Sequence, residues 1–393
     1  MAFKQQLRGL LGSLACGVLL ALQPAAAEPT YPSRPIRLIV PFAPGGTTDA
    51  VARAVATKLG QALNQSIVVE NRAGAGGSIG TDFVAKARPD GYTLLLGSAG
   101  PLSVNPTLYP NLPYDPTRDF TPVGMICTSA LVLVTSSASG IASTADLIRQ
   151  AKANPGSLTF STAGVGGASH IAAELFASMA GIKATHVPYR GSGPATVAAV
   201  AGETSFTFTG QTAAWPMVQA GKLRALGVGS RERSAEHPEV PTVAESGPVP
   251  GYEALDWNVI MAPPGTPETV VRALSDGLDR ILDDPELRAS FVQQGIAIRK
   301  GTAADVQALM RHDIPNGPRS SKRPASKRNR TAARAGGRAV SWLVASSASI
   351  PWLPGNPPPQ EKPRPGRRKA GARPRAASPC ATCLPATSSG RAC

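Results

Sequence analysis

The chain has 393 residues, a formal net charge of +15 and a pI of about 10.1, a basic excess of the kind that nucleic-acid or membrane-surface binding requires. The excess is confined to one end: from Pro315 to Cys393 sixteen Lys and Arg face one acid, Glu361, whereas Met1 to Ile314 carries 24 of each sign and is neutral. A nucleic-acid function thus rests on the end of the chain alone, and no stretch reaches the ~18 apolar residues of a membrane-spanning helix.

In chain order, the first 27 residues read as an export leader. Lys4 and Arg8 precede an apolar run from Leu10 to Leu22, and "AAA" places cleavage after Ala27. Ser13 is a poor residue three places before Cys16 for a lipoprotein anchor. Export follows as the expectation. The length of Glu28 to Ile314 favours two domains, and Cys127 is its one cysteine, so no disulfide framework exists there.

"IRLIVPF" has the continuous apolarity of a buried parallel strand. "APGGTT" is a loop, and "DAVARAVATKLGQAL" a helix with Val51, Val55, Leu59 and Leu63 on one face. "SIVVEN", "RAGAGG", "SIGTDFVAKA" and "YTLLLGS" follow as strand, Gly-rich loop, helix and strand. The sum is βαβαβ, the pattern of a parallel sheet covered by helices. The pattern then restarts: strand "ALVLVTSS", helix "STADLIRQAKANP" capped by Ser143 or Thr144, strand "SLTFST", loop "AGVGGAS", helix "HIAAELFASMAG". Strand "KATHVPY", loop "RGSG", helix "PATVAAVAGE" and strands "SFTFTG" and "LRALGVGS" complete a second α/β unit. Helices "PETVVRALSDGLDRILDD" and "PELRASFVQQG" each open with Pro in the first turn, and are expected to pack back on the first unit.

Four strands end in small-residue loops that open helices: Ala43 to Thr48, Ala73 to Ser78, Ala163 to Ser169 and Arg190 to Gly193. Ligands of open α/β sheets bind outside the carboxyl ends of strands. Helix N-termini there offer free N–H groups and a partial charge of about +0.5 e. Any one loop is explained by a tight βα turn; four of them, with Thr47, Thr48, Ser161, Thr162 and Ser192 adding hydroxyls, point to an anion held by neutral donors. Other chemistries find little support. "APGGTTDA" lacks the Gly-Lys-Ser/Thr ending of a phosphate loop, and "AGAGGSIG" follows the second strand with no suitable acid ~20 residues on. His170 opens a helix, where it either donates to an anion or caps; His186 lies in a strand and reads as structural. No His-Glu-x-x-His and no nucleophile–base pair is present, so no catalytic residue, metal or cofactor is expected. "CATC" at Cys380 to Cys383 is a lone CxxC without βα context.

Several ordered segments, "YPSRPIRLIVPFAPGGTTDAVARAVA", "VVENRAGAGGSIGTDFVAKARPDGYTLLLGS", "HVPYRGSGPA", "GKLRALGVGSRERSAEHPEVPTVAESG" and "APPGTPETVVRAL", closely resemble the Bug family, periplasmic substrate-binding proteins of tripartite tricarboxylate transporters. The resemblance runs from about Tyr31 to Ile314. It implies an α/β, two-lobed Venus-flytrap protein of type II-like build: lobe 1 from 28–129 and 251–314, lobe 2 from 130–250. It further implies a monomer that holds a small carboxylate between the lobes and passes it to membrane permease subunits. The positions carried over are Phe42, Gly45, Gly46, Thr47, Thr48, Ser98, Ala99 and Gly100 from the first lobe, and Ser161, Thr162, Ala163, Gly164, His170, Tyr189, Arg190 and Gly191 from the second. Ala198 and Ser205 stand where the family commonly places acids.

The larger departure is the end of the chain. The family usually closes on a helix resembling "W-A-x-V-V-K-x-A-G-I-x". Back-translation of Asn316 to Asn329, read from the third base of the Asn316 codon, permits "WAAVVKAAGIKAE" without a gap. The Arg/Pro-rich segment 315–393 therefore reads as the product of a one-base frameshift, and its composition predicts disorder. No specific nucleic-acid partner is expected of it.

Overall fold

A computed structural model describes residues 31–314. The leader with its cleavage point after Ala27, and the basic segment from Pro315 with its shifted frame, lie outside the described residues.

The first sheet begins as expected from the βαβαβ pattern. β1 (Ile36–Val40), β2 (Ile67–Asn71) and β3 (Thr93–Ser98) are parallel in the order β2-β1-β3, and α1 (Thr47–Ala62) and α2 (Ser78–Ala85) connect them. β9 (Leu255–Ala262) then lies antiparallel between β3 and β4 (Thr121–Ser136). β10 (Ile296–Gly301) pairs with β4 from its other side.

β4 is sixteen residues long and serves two sheets. Its residues up to Ala130 pair with β9, and its residues from Leu131 pair with β7 (Phe206–Gly210) and β8 (Leu223–Val228). Beyond β7 lie β5 (Thr159–Thr162) and β6 (Thr185–Pro188), giving the order β4-β7-β5-β6. The chain thus leaves the first sheet through β4 and returns through β9. The two passages touch: Leu131 N donates to Ala254 O at 3.1 Å, and Gly229 N to Leu131 O at 2.7 Å.

Strand alternation sorts the core onto both faces of each sheet. Ile36, Leu38 and Val40 of β1 join Val51, Val55 and Leu59 of α1 on one side, with Ile39 on the other. α9 (Glu268–Leu282) and α10 (Pro285–Gln293) close that first side through Leu274, Leu278, Ile281, Leu287 and Phe291. Truncating Leu278, 2 % exposed, to Ala would cost about 2–5 kcal/mol. α11 (Ala303–Asp313) covers the opposite face with Val306 and Met310, which cluster with Leu102 just before α3 (Asn105–Leu108). In the second sheet Leu131 and Leu133 face α4 (Thr144–Ala153), α5 (Ala168–Ala180) and α8 (Val243–Ser246). Val132 and Val134 face α6 (Ser192–Val200) and α7 (Gln211–Gln219). Each sheet is therefore a three-layer α/β/α sandwich, and β4 and β9 join the two. Among the described residues no helix is long and apolar enough to cross a membrane.

Candidate ligand-binding cleft

The carboxyl ends of the parallel strands of both sheets point at one another, and their loops meet. Ala43 N, after β1, donates to Arg190 O, after β6, at 3.0 Å. Tyr109 Oη donates to Val165 O at 3.1 Å. Two contacts require glycine. A Cβ on Gly76, whose φ is +60°, would lie 1.9 Å from Val165 O, and one on Gly100 would lie 2.8 Å from Gly166 O.

Two cavities remain between the loops, and both are lined by Ala163. The inner one admits the centre of a water over about 20 Å³, room for one or two waters. The outer one, of about 160 Å³, opens past Gly74, Gly76, Tyr109, Gly164, Tyr189 and Arg190.

Four helix N-termini reach the inner cavity: α1 with Gly46, Thr47 and Thr48, α5 with Ala168 and Ser169, α6 with Ser192, and α7 through Gly210. Each is preceded by glycine, and none carries a side-chain cap. The orphan N–H groups of a helix start need acceptors, and here the acceptors are left to the cavity. Thr47 Oγ1, in a residue only 8 % exposed, has no hydrogen-bond partner either. Among the described residues no Lys, Arg or His lines this inner cavity.

Two carboxylates reach the same wall, and their surroundings differ. Asp49 is held by Arg53 Nε and Nη2 at 3.0 Å each, by Asn71 Nδ2 at 2.9 Å and by Gly45 N at 3.2 Å. Burial alone would raise its carboxyl; the bonds from Arg53, Asn71 and Gly45 outweigh it and keep the group below the usual carboxylate range. Asp256, in β9, has no cationic partner among the described residues. Burial pushes it up to about 6, and the amides of Trp257 and Ala99, at 2.9 and 3.3 Å from Oδ1, pull only part of the way back.

Of the residues expected from sequence, Phe42, Gly46, Thr47, Thr48 and Ala163 line the inner cavity, and Ala163, Gly164, Tyr189 and Arg190 the outer. The others stand behind these walls. Gly45 makes the turn before α1 at φ +87°. Ser98 is buried in β3 opposite Asn258, Ala99 donates to Asp256, and Gly100 carries the close approach to Gly166. Ser161 Oγ donates to Ala195 O at 2.8 Å, and Thr162 Oγ1 pairs with His186 Nε2 at 2.6 Å, both hydroxyls fully buried. Gly191 packs against Ala43. His170 accepts from Gly166 N at 3.2 Å through Nδ1 and stacks on His186, ring centroids 4.3 Å apart. Burial pushes His170 down to about 4. His186 falls to about 3, by burial and then by its histidine neighbour. Both rings are neutral at pH 7 and serve the loop as a spacer.

The lining residues outside the loops and positions singled out from sequence are Asp49, Ser129, Leu131, Gly210 and Asp256 in the inner cavity and Tyr109 and Pro188 in the outer. Gly210 closes a stretch already recognised as a strand. Asp256 had one signal available, an acid inside the apolar run "LDWNVIMA". Among the described residues no cluster of His, Cys, Asp or Glu could hold a metal ion.

Known proteins are similar to this chain in sequence and fold. The family model described as "Tripartite tricarboxylate transporter family receptor" matches residues 51–318. Protein BugT of Bordetella pertussis is 42% identical over 273 residues, covering 69% of this chain and 83% of that protein. The periplasmic binding protein BugD superposes with a TM-score of 0.70 at 34% identity, over 72% of this chain and 95% of BugD. MatC from Rhodopseudomonas palustris, solved with bound malate, gives 0.69 at 31% identity over 72% and 97%. An R. palustris protein solved with adipate gives 0.70 at 35% identity over 72% and 95%.

Proposed function

The chain belongs to the tripartite tricarboxylate transporter receptor family, a family of solute-binding receptors, and from that premise we propose that it captures a small carboxylate between its two lobes and delivers it to membrane permease subunits. The observation that carries the ligand class is the convergence of four uncapped helix N-termini on one cavity without a cationic side chain. Such a wall stabilises an anion through backbone N–H groups and hydroxyls. Malate in MatC and adipate in the R. palustris protein are carboxylates held by relatives of the same build.

In this reading lobe 1 comprises 28–129 and 251–314 and lobe 2 130–250. The paired passages at Leu131 and Ala254 act as the hinge. Loop contacts such as Ala43 N to Arg190 O then belong to the closed state. Opening breaks few bonds, and a ligand that bridges both sets of helix N-termini restores closure. The site binds and releases; it performs no catalysis. The buried Thr162–His186 pair touches neither cavity, so it offers no nucleophile to a ligand. The export leader read from the sequence and the periplasmic relatives support a periplasmic location.

Thermal unfolding of the full chain with a panel of di- and tricarboxylates, hydroxy acids and acidic amino acids tests the proposal. At a concentration 100-fold above Kd a true ligand adds about 2.7 kcal/mol of stability, a rise in Tm of roughly 5–10 °C. A panel in which no carboxylate moves the midpoint would overturn it.

A further inference from the structure

Asp256 sits where the cleft is least suited to a bare dicarboxylate. It lies on β9, two residues past Ala254, opposite Ser129 of β4, at the place where the two passages between sheets run side by side. Ser129 and Asp256 both line the inner cavity. Oδ1 of Asp256 is spent on the amides of Ala99 and Trp257. Oδ2 has no protein donor among the described residues. The other acid of the wall, Asp49, is neutralised by Arg53; Asp256 is not.

An anion drawn in by the helix N-termini therefore meets an uncompensated carboxylate in a confined space. Like charges at that range repel, and a guest that displaces water from Oδ2 without donating to it leaves that oxygen unpaired. A donor on the ligand reverses the sign, because a hydroxyl or ammonium aimed at Oδ2 makes a charge-assisted hydrogen bond. A second group in the same cavity asks for the same kind of ligand. Thr47 Oγ1 is buried and unpartnered. It is pressed against Gly210, where a Cβ would stand 1.8 Å away, so it has no room to turn toward bulk water.

We infer that Asp256 is a specificity-determining residue, and that it selects small carboxylates bearing a hydroxyl or ammonium group beside the carboxylate over unsubstituted dicarboxylates. This rests on the carboxylate-receptor reading and deepens it. A site built to pair a polar group rejects the analogue that lacks it, because its own buried group is then left unpaired. The expectation differs for two ligands of relatives: malate carries such a hydroxyl, and adipate does not.

Isothermal titration of the full chain at pH 7.5 tests this with matched series: succinate, malate and aspartate; glutarate, 2-hydroxyglutarate and glutamate; adipate and its 2-hydroxy and 2-amino derivatives. In the series whose length fits, the hydroxy or amino member should bind at least about tenfold more tightly than the unsubstituted acid. Asp256→Asn, which keeps an oxygen for the two amides, should narrow the ammonium preference to under about threefold. Asp256→Ser gives a second reading should the Asn variant fold poorly, and the wild-type ratios decide independently of either. Equal affinity across every series that binds, or a preference that survives both substitutions, overturns the inference and leaves the receptor reading standing. Absence of binding by every member overturns the receptor reading, and the inference with it.

Discussion

Four helix starts at the inner cavity and four away from it are built on opposite plans; α9, opening on Pro267, follows neither. α4, α8, α10 and α11 open on Ser143, Thr242, Asp284 and Thr302, and each of these side chains accepts the amide three residues on. Thr242 and Thr302 form complete capping boxes with Glu245 and Asp305. α1, α5, α6 and α7 open on Gly46, Gly167, Gly191 and Gly210, with no side-chain cap, and all four reach one cavity. A capping side chain stabilises a helix start by about 1 kcal/mol over alanine and by a few tenths over glycine. Forgoing it at four neighbouring starts leaves N–H groups for a guest and removes the side chains that would keep the two sheets' loops apart. In one plan the helix start serves folding alone; in the other, stability is given up where the ligand is to supply the acceptors.

The sharpest way to break this contrast is to restore a side chain at a cleft glycine. Gly210 has an ordinary φ of −67°, so a larger residue there meets no backbone strain. Its added Cβ would collide with Thr47, which stands on α1 across the cleft. Gly210→Val should therefore leave the open protein folded, with a Tm within a few degrees of wild type, yet oppose closure by about 1–3 kcal/mol, a ten- to hundredfold loss of affinity. Equal affinity in a calorimetric titration would mean that these loops do not meet in the bound state.

Titration separates the two plans as well. Asp256 has its pKa raised to about 6 in the folded chain, against about 3.9 unfolded. The folded state holds the proton more tightly, so the burial cost is present in full above pH 6 and vanishes below pH 4. Asp256→Asn should raise stability by about 1–3 kcal/mol at pH 7.5 and change it little at pH 4, as followed by urea unfolding. The histidine pair has the reverse sign. With His170 pushed down to about 4 and His186 to about 3, the unfolded chain takes up protons first. Stability is then complete above pH 6.5 and falls as pH drops from there toward 4. The groups facing the pair are Glu174, 3.7 Å from His170 Nε2, and the Thr162 hydroxyl on His186. His186→Phe should flatten this acid limb, and an unchanged slope would place the protons elsewhere.

Much of this was legible in the chain because the signals are local. "IRLIVPF" and "YTLLLGS" are continuous apolar runs, and β1 and β3 lie within them. "STADLIRQAKANP" carries its own cap, and Ser143 rather than Thr144 fills that place. α1 begins at Thr47, two residues earlier than its apolar face suggests, because a glycine and not a capping side chain precedes it. What stayed hidden is non-local. The first half of β4 reads as irregular, with Gly124, Thr128 and Ser129 interrupting its apolar residues, and it is a strand because β9 and β10 flank it. α7 contains Pro216 and gives a weak helical pattern. The cleft loops could be recognised as loops, but not sorted into walls and supports. Ser161 and Thr162 look like ligand hydroxyls until Ala195 and His186 are seen to hold them. Asp256 takes its meaning from Ala99, 157 residues away in sequence.

The smallest effect tests the other side of the contrast. Ser143 accepts the Asp146 amide at 3.1 Å, and Asp146 in turn accepts the Ala142 amide at 2.9 Å, so the start of α4 is closed by its own residues. Ser143→Ala frees one amide to water and should lower stability by about 1 kcal/mol, a Tm shift of roughly 2–4 °C. Affinity should not change, because α4 lines neither cavity. Thr47→Val is the matching change at a cleft start. It removes a buried hydroxyl that has no partner, so the unliganded protein should be as stable as wild type or more so. Ligand affinity should fall by about tenfold, the worth of one hydrogen bond to an anion. Opposite responses of stability and affinity in the two variants are what distinguish a helix start built for folding from one built for a guest. If Thr47→Val lowers stability and spares binding, as Ser143→Ala should lower it, the two classes of helix start are one.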